Sequence, residues 1–158
     1  MEEIDVQSIL KESVELCQSQ AVRRGIGLNL DASELLRVSA NSRLLSQAVM
    51  NLIDNAVKYS PVGTSVSISA SREEDWVCIR VKDEGPGIAH QHLARLFERF
   101  YRIDKARSRS EGGTGLGLSI VKHIALAHGG RVDVQSQIGV GTAFYIYIPV
   151  HRRPISRI

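Results

Sequence analysis

The sequence predicts an α+β fold, a two-layer α/β sandwich in which helices cover one face of a mixed, mostly antiparallel sheet. Helical segments do not alternate strictly with strands, and hairpin patterns dominate the middle and the end of the chain. One segment, residues 44–57, also carries an apolar seam of helical period. At 158 residues, 43% hydrophobic and 23% charged, the chain has the size and composition of one globular domain.

Two helices and two short strands are predicted in the first sixty residues. Apolar residues with helical spacing, stopped by glycine or proline, indicate the helices, and strict alternation indicates the strands. In order, we expect a helix at 5–24, strands at 26–30 and 35–38, and a helix from its cap residue Asn41 or Ser42 to Ser60.

The second half is predicted to hold a hairpin, a short helix, a glycine-rich turn, a longer helix and two final strands. The short helix is expected to turn Leu93, Leu96, Phe97 and Phe100 inward. The hairpin strands are expected at 66–70 and 77–81 with a turn at 72–75, the glycine turn at 112–117, the end of the longer helix at 128–130, and the final strands at 131–136 and 142–149.

Residues 1–150 are expected to form the domain and residues 151–158 a frayed tail. No stretch approaches the ~18 uncharged apolar residues of a membrane span, and the acidic start lacks a signal-peptide pattern. The two cysteines cannot form a disulfide framework. A net charge of +3 with only 5% aromatic residues argues against a nucleic-acid-binding protein.

Positive charge is concentrated between Arg95 and Arg109, where six basic residues outnumber two acidic ones. A local basic segment of this kind predicts a local anionic partner. The alternative is a solvated helix face that runs into a loop.

Asn51, Asn55 and Lys58 fall within one stripe of roughly 60° on the second helix, away from its apolar seam. Asparagine is a mediocre helix former, so two asparagines in mid-helix indicate a role other than helix stability. Carboxamide oxygens are hard ligands for Mg²⁺, and a lysine is a point charge for phosphate. The stripe therefore predicts a metal-bridged polyphosphate site, with an ordinary solvated face as the alternative.

Asp83 ends a predicted strand and is followed by Gly85, Pro86 and Gly87. A carboxylate there accepts hydrogen bonds from a donor such as an exocyclic amine, and glycines let a flat ring approach the backbone. A plain turn is the alternative, because Asp, Pro and Gly are the usual turn residues.

A glycine-rich segment, Gly112 to Ser119, opens the next helix and leaves backbone N–H groups free for an anion. It is not a P-loop, because Leu118 stands where the lysine is required. It is not a dinucleotide fingerprint either, because a basic loop precedes it where a strand is needed. A glycine-rich anion site of another kind and a flexible hinge both remain open.

In this order, four segments resemble the N, G1, F and G2 boxes of sensor histidine kinases: Asn51 to Tyr59, Asp83 to Ile88, Leu96 to Arg102 and Gly113 to Leu118. The chain resembles their catalytic, ATP-binding domain almost throughout, and Phe100 to Arg109 is similar to the phosphate-sensing subgroup. The resemblance implies the GHKL ATP-binding fold with a mobile ATP lid. It also implies ATP and Mg²⁺ as cofactors.

The resemblance implies roles for individual residues. Asn51 would coordinate Mg²⁺, Asp83 would accept the adenine amino group with support from the Thr142 hydroxyl, and Gly87 would let the base in. Arg102, Arg107 or Arg109 would reach the γ-phosphate. Further nucleotide contacts are implied for Asn55, Lys58, Tyr59, Gly85, Ile88, Gly113, Thr114, Gly115, Leu116, Gly117 and Leu118, with Phe97 and Phe100 anchoring the near side of the lid.

The implied reaction is transfer of the γ-phosphate to a histidine on a separate dimerisation and phosphoacceptor domain. None of the five histidines precedes the acidic residue and Thr-Pro or Asn-Pro of an acceptor motif; His123 and His128 fit a helix surface and a helix end. The acceptor helix is therefore expected on another chain or a missing N-terminal part, with a response regulator as indirect partner. The domain is expected in the cytoplasm, with membrane attachment only through the parent protein.

Asn51 stands where ATP-hydrolysing relatives, such as gyrase B and the large heat-shock chaperone, carry a glutamate. An amide cannot act as a general base, so we expect little ATP hydrolysis without a protein acceptor. Three alternatives stay open: an anti-sigma-type serine kinase of the same superfamily, a non-catalytic nucleotide-gated binding module, and nucleic-acid binding through the basic segment.

Overall fold

The computed structural model describes residues 1–103 and 115–150. Within these ranges the chain folds into two sheets and four helices. The elements in chain order are β1 (Glu2–Asp5), α1 (Val6–Arg23), β2 (Gly27–Asp31), β3 (Arg37–Ala40), α2 (Ser42–Tyr59), β4 (Ser65–Glu73), β5 (Trp76–Lys82), α3 (His90–Leu93), α4 (Gly117–Ala127), β6 (Arg131–Gln137) and β7 (Gly141–Pro149).

The larger sheet has five strands in the order β2-β4-β5-β7-β6. Strand β2 pairs in parallel with β4, and every other neighbouring pair in this sheet is antiparallel. The prediction of a mixed, mostly antiparallel sheet is confirmed. Strands β1 and β3 form a separate antiparallel pair.

The core lies between one face of the larger sheet and the helices. On β5 and β7, every second residue faces the helices. Ile79 on β5 and Ile146 on β7 are two of these inward residues, and both are fully buried. The predicted apolar seam of α2, including Leu45 and Leu52, is also buried. On the opposite face of the sheet, the Arg131 guanidinium lies 3.8 Å from the centre of the Tyr147 ring.

Several predicted boundaries shift. The structure adds β1, which the sequence did not predict, and α1 begins at Val6 because the Asp5 side chain caps it. A four-residue strand with three acidic residues carries no strand signal of its own; it forms by pairing with β3, which lies at 37–40 instead of 35–38. Asn41 caps α2 as predicted, since its side chain accepts a hydrogen bond from the Leu44 N–H.

The inward orientation predicted for Phe100 is wrong. The short helix ends at Leu93, and the chain then continues in turns. Leu96 is buried and Phe97 packs edge-on against Phe144, whereas Phe100 is 60% exposed. Phe100 adopts a left-handed backbone (φ +63°) while its N–H donates to the Gly115 carbonyl, and this turn directs the side chain to solvent.

Among the helices in the described part of the chain, none combines the length and the apolar character that a membrane span requires.

His128 joins the end of α4 to the start of α2. Its Nε2 atom accepts a hydrogen bond from the Asn41 N–H at 3.0 Å, so the proton of the neutral ring sits on Nδ1, which donates to the Ile124 carbonyl at 2.7 Å. The side chain is only 5% exposed. The helix-end position expected for His128 is confirmed, but the residue is also a buried connector between two helices.

Substituting His128→Ala leaves the Asn41 N–H without its partner and removes a buried side chain, whereas the Ile124 carbonyl still accepts from the backbone N–H of residue 128. We expect the substitution to lower the free energy of unfolding by about 1–3 kcal/mol. Urea denaturation measures this change. His123→Ala, on an exposed position of the same helix, is the control and is expected to change stability by less than about 0.5 kcal/mol. Equal stability of the two variants would contradict the connecting role.

Candidate functional site

A cavity of about 550 Å³ opens between α2, the adjoining ends of β5 and β7, and the start of α4. Asn55, Asp83 and Gly115 all line it, so the helix stripe, the acidic strand end and the glycine-rich segment meet at one cavity. The sequence-derived site residues that line it are Asn51, Asn55, Lys58, Tyr59, Asp83, Gly87, Ile88, Arg102, Gly115, Leu116, Gly117, Leu118 and Thr142.

The remaining candidates from the sequence either lie behind the cavity wall or fall outside the described residues. Gly85 supports it from behind, because its N–H donates to the Asp83 Oδ1 at 2.8 Å. Phe97 contacts Phe144, which does line the cavity, with ring centres 6.0 Å apart. Arg107, Arg109, Gly113 and Thr114 lie outside the described residues.

The wall formed by α2 is polar because this helix turns its apolar seam to the core. The Asn51 Nδ2 donates to the Gly117 carbonyl at 3.5 Å, so the Oδ1 of the same amide could still accept a hydrogen bond or coordinate a cation. The Lys58 Nζ lies 3.2 Å from the Asp54 Oδ2. Gln47 and Asp54 also line the cavity, although neither was predicted as a site residue. Helical spacing was the available signal, since each precedes a candidate residue by four positions.

Asp83 is a buried carboxylate, 4% exposed, at the end of β5. Its Oδ1 accepts hydrogen bonds from the Gly85 N–H at 2.8 Å and the Thr142 N–H at 3.2 Å. Burial raises the pKa of Asp83, and these two N–H donors oppose the rise. Among the described residues both bonds fall on Oδ1, so Oδ2 is the oxygen left to accept from a ligand.

Thr142 supports Asp83 in a different way from the one implied by the resemblance. Its backbone N–H donates to the carboxylate, and its carbonyl accepts from the Asp83 N–H at 2.9 Å. The Thr142 hydroxyl instead lies 2.8 Å from the Ser136 Oγ. The implied support of Asp83 by the Thr142 hydroxyl is therefore wrong, because this hydroxyl is hydrogen-bonded to Ser136 on β6.

Gly87 is required by a close approach of two backbones. It has φ +79°, and a Cβ atom there would lie 2.3 Å from the Gln137 carbonyl oxygen. The missing side chain thus makes room for the turn between β6 and β7. Gly115 has a similar reason, since φ is +73° and a Cβ would lie 2.8 Å from the Phe100 Cα. A Cβ on Gly117 would contact nothing within 4 Å.

The remainder of the cavity wall is largely apolar. Tyr101 is held there by a hydrogen bond between its hydroxyl and the His92 Nδ1, with the Arg95 guanidinium 4.4 Å from its ring centre. Besides Gln47 and Asp54, the wall residues not predicted as site residues are Pro86, Leu96, Tyr101, Ile103, Ile120 and Phe144. Pro86, Leu96 and Tyr101 lie within the segments that resemble the kinase boxes, whereas Ile103, Ile120 and Phe144 are apolar residues that the sequence does not distinguish from the core.

The described residues contain no group of three or more His, Cys, Asp or Glu side chains that would hold a metal ion. The α2 wall offers amide oxygens instead. Mg²⁺ prefers oxygen ligands, keeps several waters, and is usually bound through few protein groups together with the phosphates of a substrate. The donor set thus fits a magnesium ion that arrives with a polyphosphate.

Comparison with known proteins agrees with this arrangement. Residues 40–152 match the model of the family described as histidine kinase-, DNA gyrase B-, and HSP90-like ATPase. The sensor-like histidine kinase SenX3 of Mycolicibacterium smegmatis is 45% identical over 156 residues, which cover 99% of this chain and 41% of SenX3. The chain thus spans less than half of that relative.

Solved structures give the same picture. The mycobacterial sensor histidine kinase MprB superposes with a TM-score of 0.79 and 31% identity, covering 94% of this chain and 96% of that one. Full-length ShkA, solved in complex with AMPPNP, superposes with a TM-score of 0.82 and 34% identity over 93% of this chain and 30% of ShkA. The chain belongs to the histidine kinase-, DNA gyrase B- and HSP90-like ATPase family, and within it to the ATPase domains of sensor histidine kinases.

Proposed function

We propose that the cavity binds ATP with Mg²⁺ and presents the γ-phosphate to a histidine on a separate helical phosphoacceptor domain. The observation that carries this proposal is the single cavity lined by Asn55, Asp83 and Gly115. The acceptor domain, a response regulator downstream, the cytoplasmic location and any membrane attachment of a parent protein belong to the same proposal.

The Asp83 end of the cavity suits adenine. A carboxylate buried to 4% exposure and fixed by two backbone N–H groups presents one free oxygen to an exocyclic amine. Apolar wall residues such as Ile88 and Leu96 suit a flat ring. Leaving the Asp83 oxygen without a donor would be costly, which favours a base that carries an amino group.

The α2 end suits the triphosphate. Asn51, Asn55 and Lys58 line this end, and Arg102 contributes a second cation to the wall. The start of α4, at Gly117, adds the positive end of a helix dipole. Magnesium, when bound through an amide oxygen such as that of Asn51, neutralises phosphate charge.

Catalysis by this chain is then positioning and charge neutralisation. On the α2 side the wall carries the amides of Asn51 and Asn55 and the Lys58 ammonium. By the family resemblance, Asn51 takes the position of the glutamate general base of ATP-hydrolysing relatives. The acceptor imidazole is its own nucleophile and arrives from outside the chain.

Asp83→Asn is expected to lower ATP affinity about 10- to 150-fold, the equivalent of losing a charge-assisted hydrogen bond of ~1.5–3 kcal/mol. Isothermal titration calorimetry measures the affinity. Unchanged affinity would exclude Asp83 from adenine recognition.

The same variant is expected to fold at least as stably as the original chain at pH 7. Burial raises the pKa of Asp83, so its ionised form opposes folding, and an amide keeps both N–H contacts without the charge. This stability difference should shrink as the pH falls through the raised pKa, because the native aspartate then becomes neutral. Urea denaturation between pH 7 and pH 4 checks the sign.

A phosphotransfer assay tests the reaction itself. With a supplied histidine-bearing helical domain from a sensor kinase and radiolabelled ATP, we expect label on the acceptor that is lost in acid and stable in base. Asn55→Ala should remove most of this transfer. An acid-stable label would favour the serine-kinase alternative, and ATP binding with no transfer to any acceptor would favour a non-catalytic module.

Little phosphate release is expected from the chain with Mg²⁺ and ATP when no acceptor is supplied. The reason is that the Asn51 amide cannot take a proton from water. A colorimetric phosphate assay measures this release, with the same chain and ATP in EDTA as the control. Steady, magnesium-dependent hydrolysis would contradict the assignment of Asn51.

A further inference from the structure

The α2 wall carries a carboxylate for which the proposed reaction has no use. Asp54 lines the cavity between Asn51 and Asn55, and its Oδ2 lies 3.2 Å from the Lys58 Nζ. The Lys58 side chain is 19% exposed and the Asp54 side chain 37%. The lysine that suits phosphate is thus already paired within the chain.

Helical geometry places the Asp54 carboxylate beside Asn51 and Lys58, two α2 side chains that the proposed function assigns to the triphosphate and its magnesium ion. Asp54 follows Asn51 by three residues and precedes Lys58 by four, so its Cβ lies about 5–6 Å from each of theirs. A triphosphate along this wall must therefore pass the Asp54 charge.

The charges of the cavity wall balance. Among the described residues that line it, the ionisable carboxylates are Asp54 and Asp83, and the cations are Lys58 and Arg102. Asp83 lies at the strand end, where two backbone N–H groups hold it. Asp54 is thus the carboxylate that sets the potential along α2, and Lys58 is its ion-pair partner within the described chain.

The field of Asp54 reaches the neighbouring helix as well. Burial, and then the Asp54 charge, raise the pKa of the Cys17 thiol on α1 to about 11. The thiol is therefore neutral at physiological pH and adds no charge to the seam between the two helices.

We propose that Asp54 is a positioning and selectivity residue: it holds Lys58 while the cavity is empty and makes the cavity discriminate against a triphosphate that lacks its divalent cation. This inference rests on the proposed function. A metal-free triphosphate is repelled by the carboxylate and must also draw Lys58 away from it. A bound cation cancels part of the ligand charge and so removes most of this penalty.

Calorimetric titration with ATP in excess Mg²⁺ and with ATP in EDTA tests the inference on four proteins. They are the original chain, Asp54→Asn, Asp54→Glu and the control Asp133→Asn, which removes the same charge from an exposed position on β6. We expect Asp54→Asn to tighten metal-free ATP binding roughly 3- to 10-fold and to change Mg²⁺·ATP binding less than about 2-fold. Asp54→Glu and Asp133→Asn should keep the original ratio of the two affinities.

The selectivity ratio distinguishes this role from a structural one, because a folding defect would weaken both titrations together. If Asp54→Asn does not fold, Asp54→Ser provides a second neutral variant. An unchanged ratio in the neutral variant, or an equal change in Asp133→Asn, overturns the role of Asp54 and leaves ATP binding intact. Failure of the original chain to bind ATP with Mg²⁺ overturns both the inference and the proposed function.

Discussion

The site depends on how α2 is oriented between the core and the cavity. Its apolar seam, with Leu45 and Leu52 fully buried, fixes the rotation of the helix about its own axis. That rotation is what brings Asn51, Asn55 and Lys58 to the cavity wall. A helix with a weaker seam would not hold its polar stripe in one direction, so the packing of one face determines the chemistry of the other.

At Asp83 the site and the fold are in conflict, because burying this carboxylate for the site lowers the stability of the folded chain. Two strands meet at this carboxylate, since the Asp83 N–H donates to Thr142 and the Thr142 N–H donates back to the side chain. Burial of the charge opposes folding, and the two N–H groups compensate only in part. The remaining acceptor capacity is then available for a ligand, which is how a destabilised polar group becomes a recognition element.

Much of this arrangement was predictable from the sequence. Periodicity located α2, the hairpin and the final strands. The family resemblance implied that Asn55, Asp83 and Gly115 contact one nucleotide, and these residues line one cavity. Features made by tertiary pairing were not predictable: β1 exists only through β3, and Phe100 turns outward because its backbone pairs with Gly115. Asp54 and Gln47 were missed because polar residues on a helix face read as solvent-exposed until the opposite wall is known.

Two side-chain hydrogen bonds that join α2 and α4 have a consequence for the spacing of residues along these helices. Asn41 contacts His128 at one end of the pair, and Asn51 contacts Gly117 at the other. At 1.5 Å per residue, the stretch from 41 to 51 rises ~15 Å and that from 117 to 128 rises ~16.5 Å, so the antiparallel segments match. A one-residue insertion within α4 would rotate its far end by about 100°, so that only one of the two contacts survives. The number of residues between Gly117 and His128 is therefore constrained by these two hydrogen bonds.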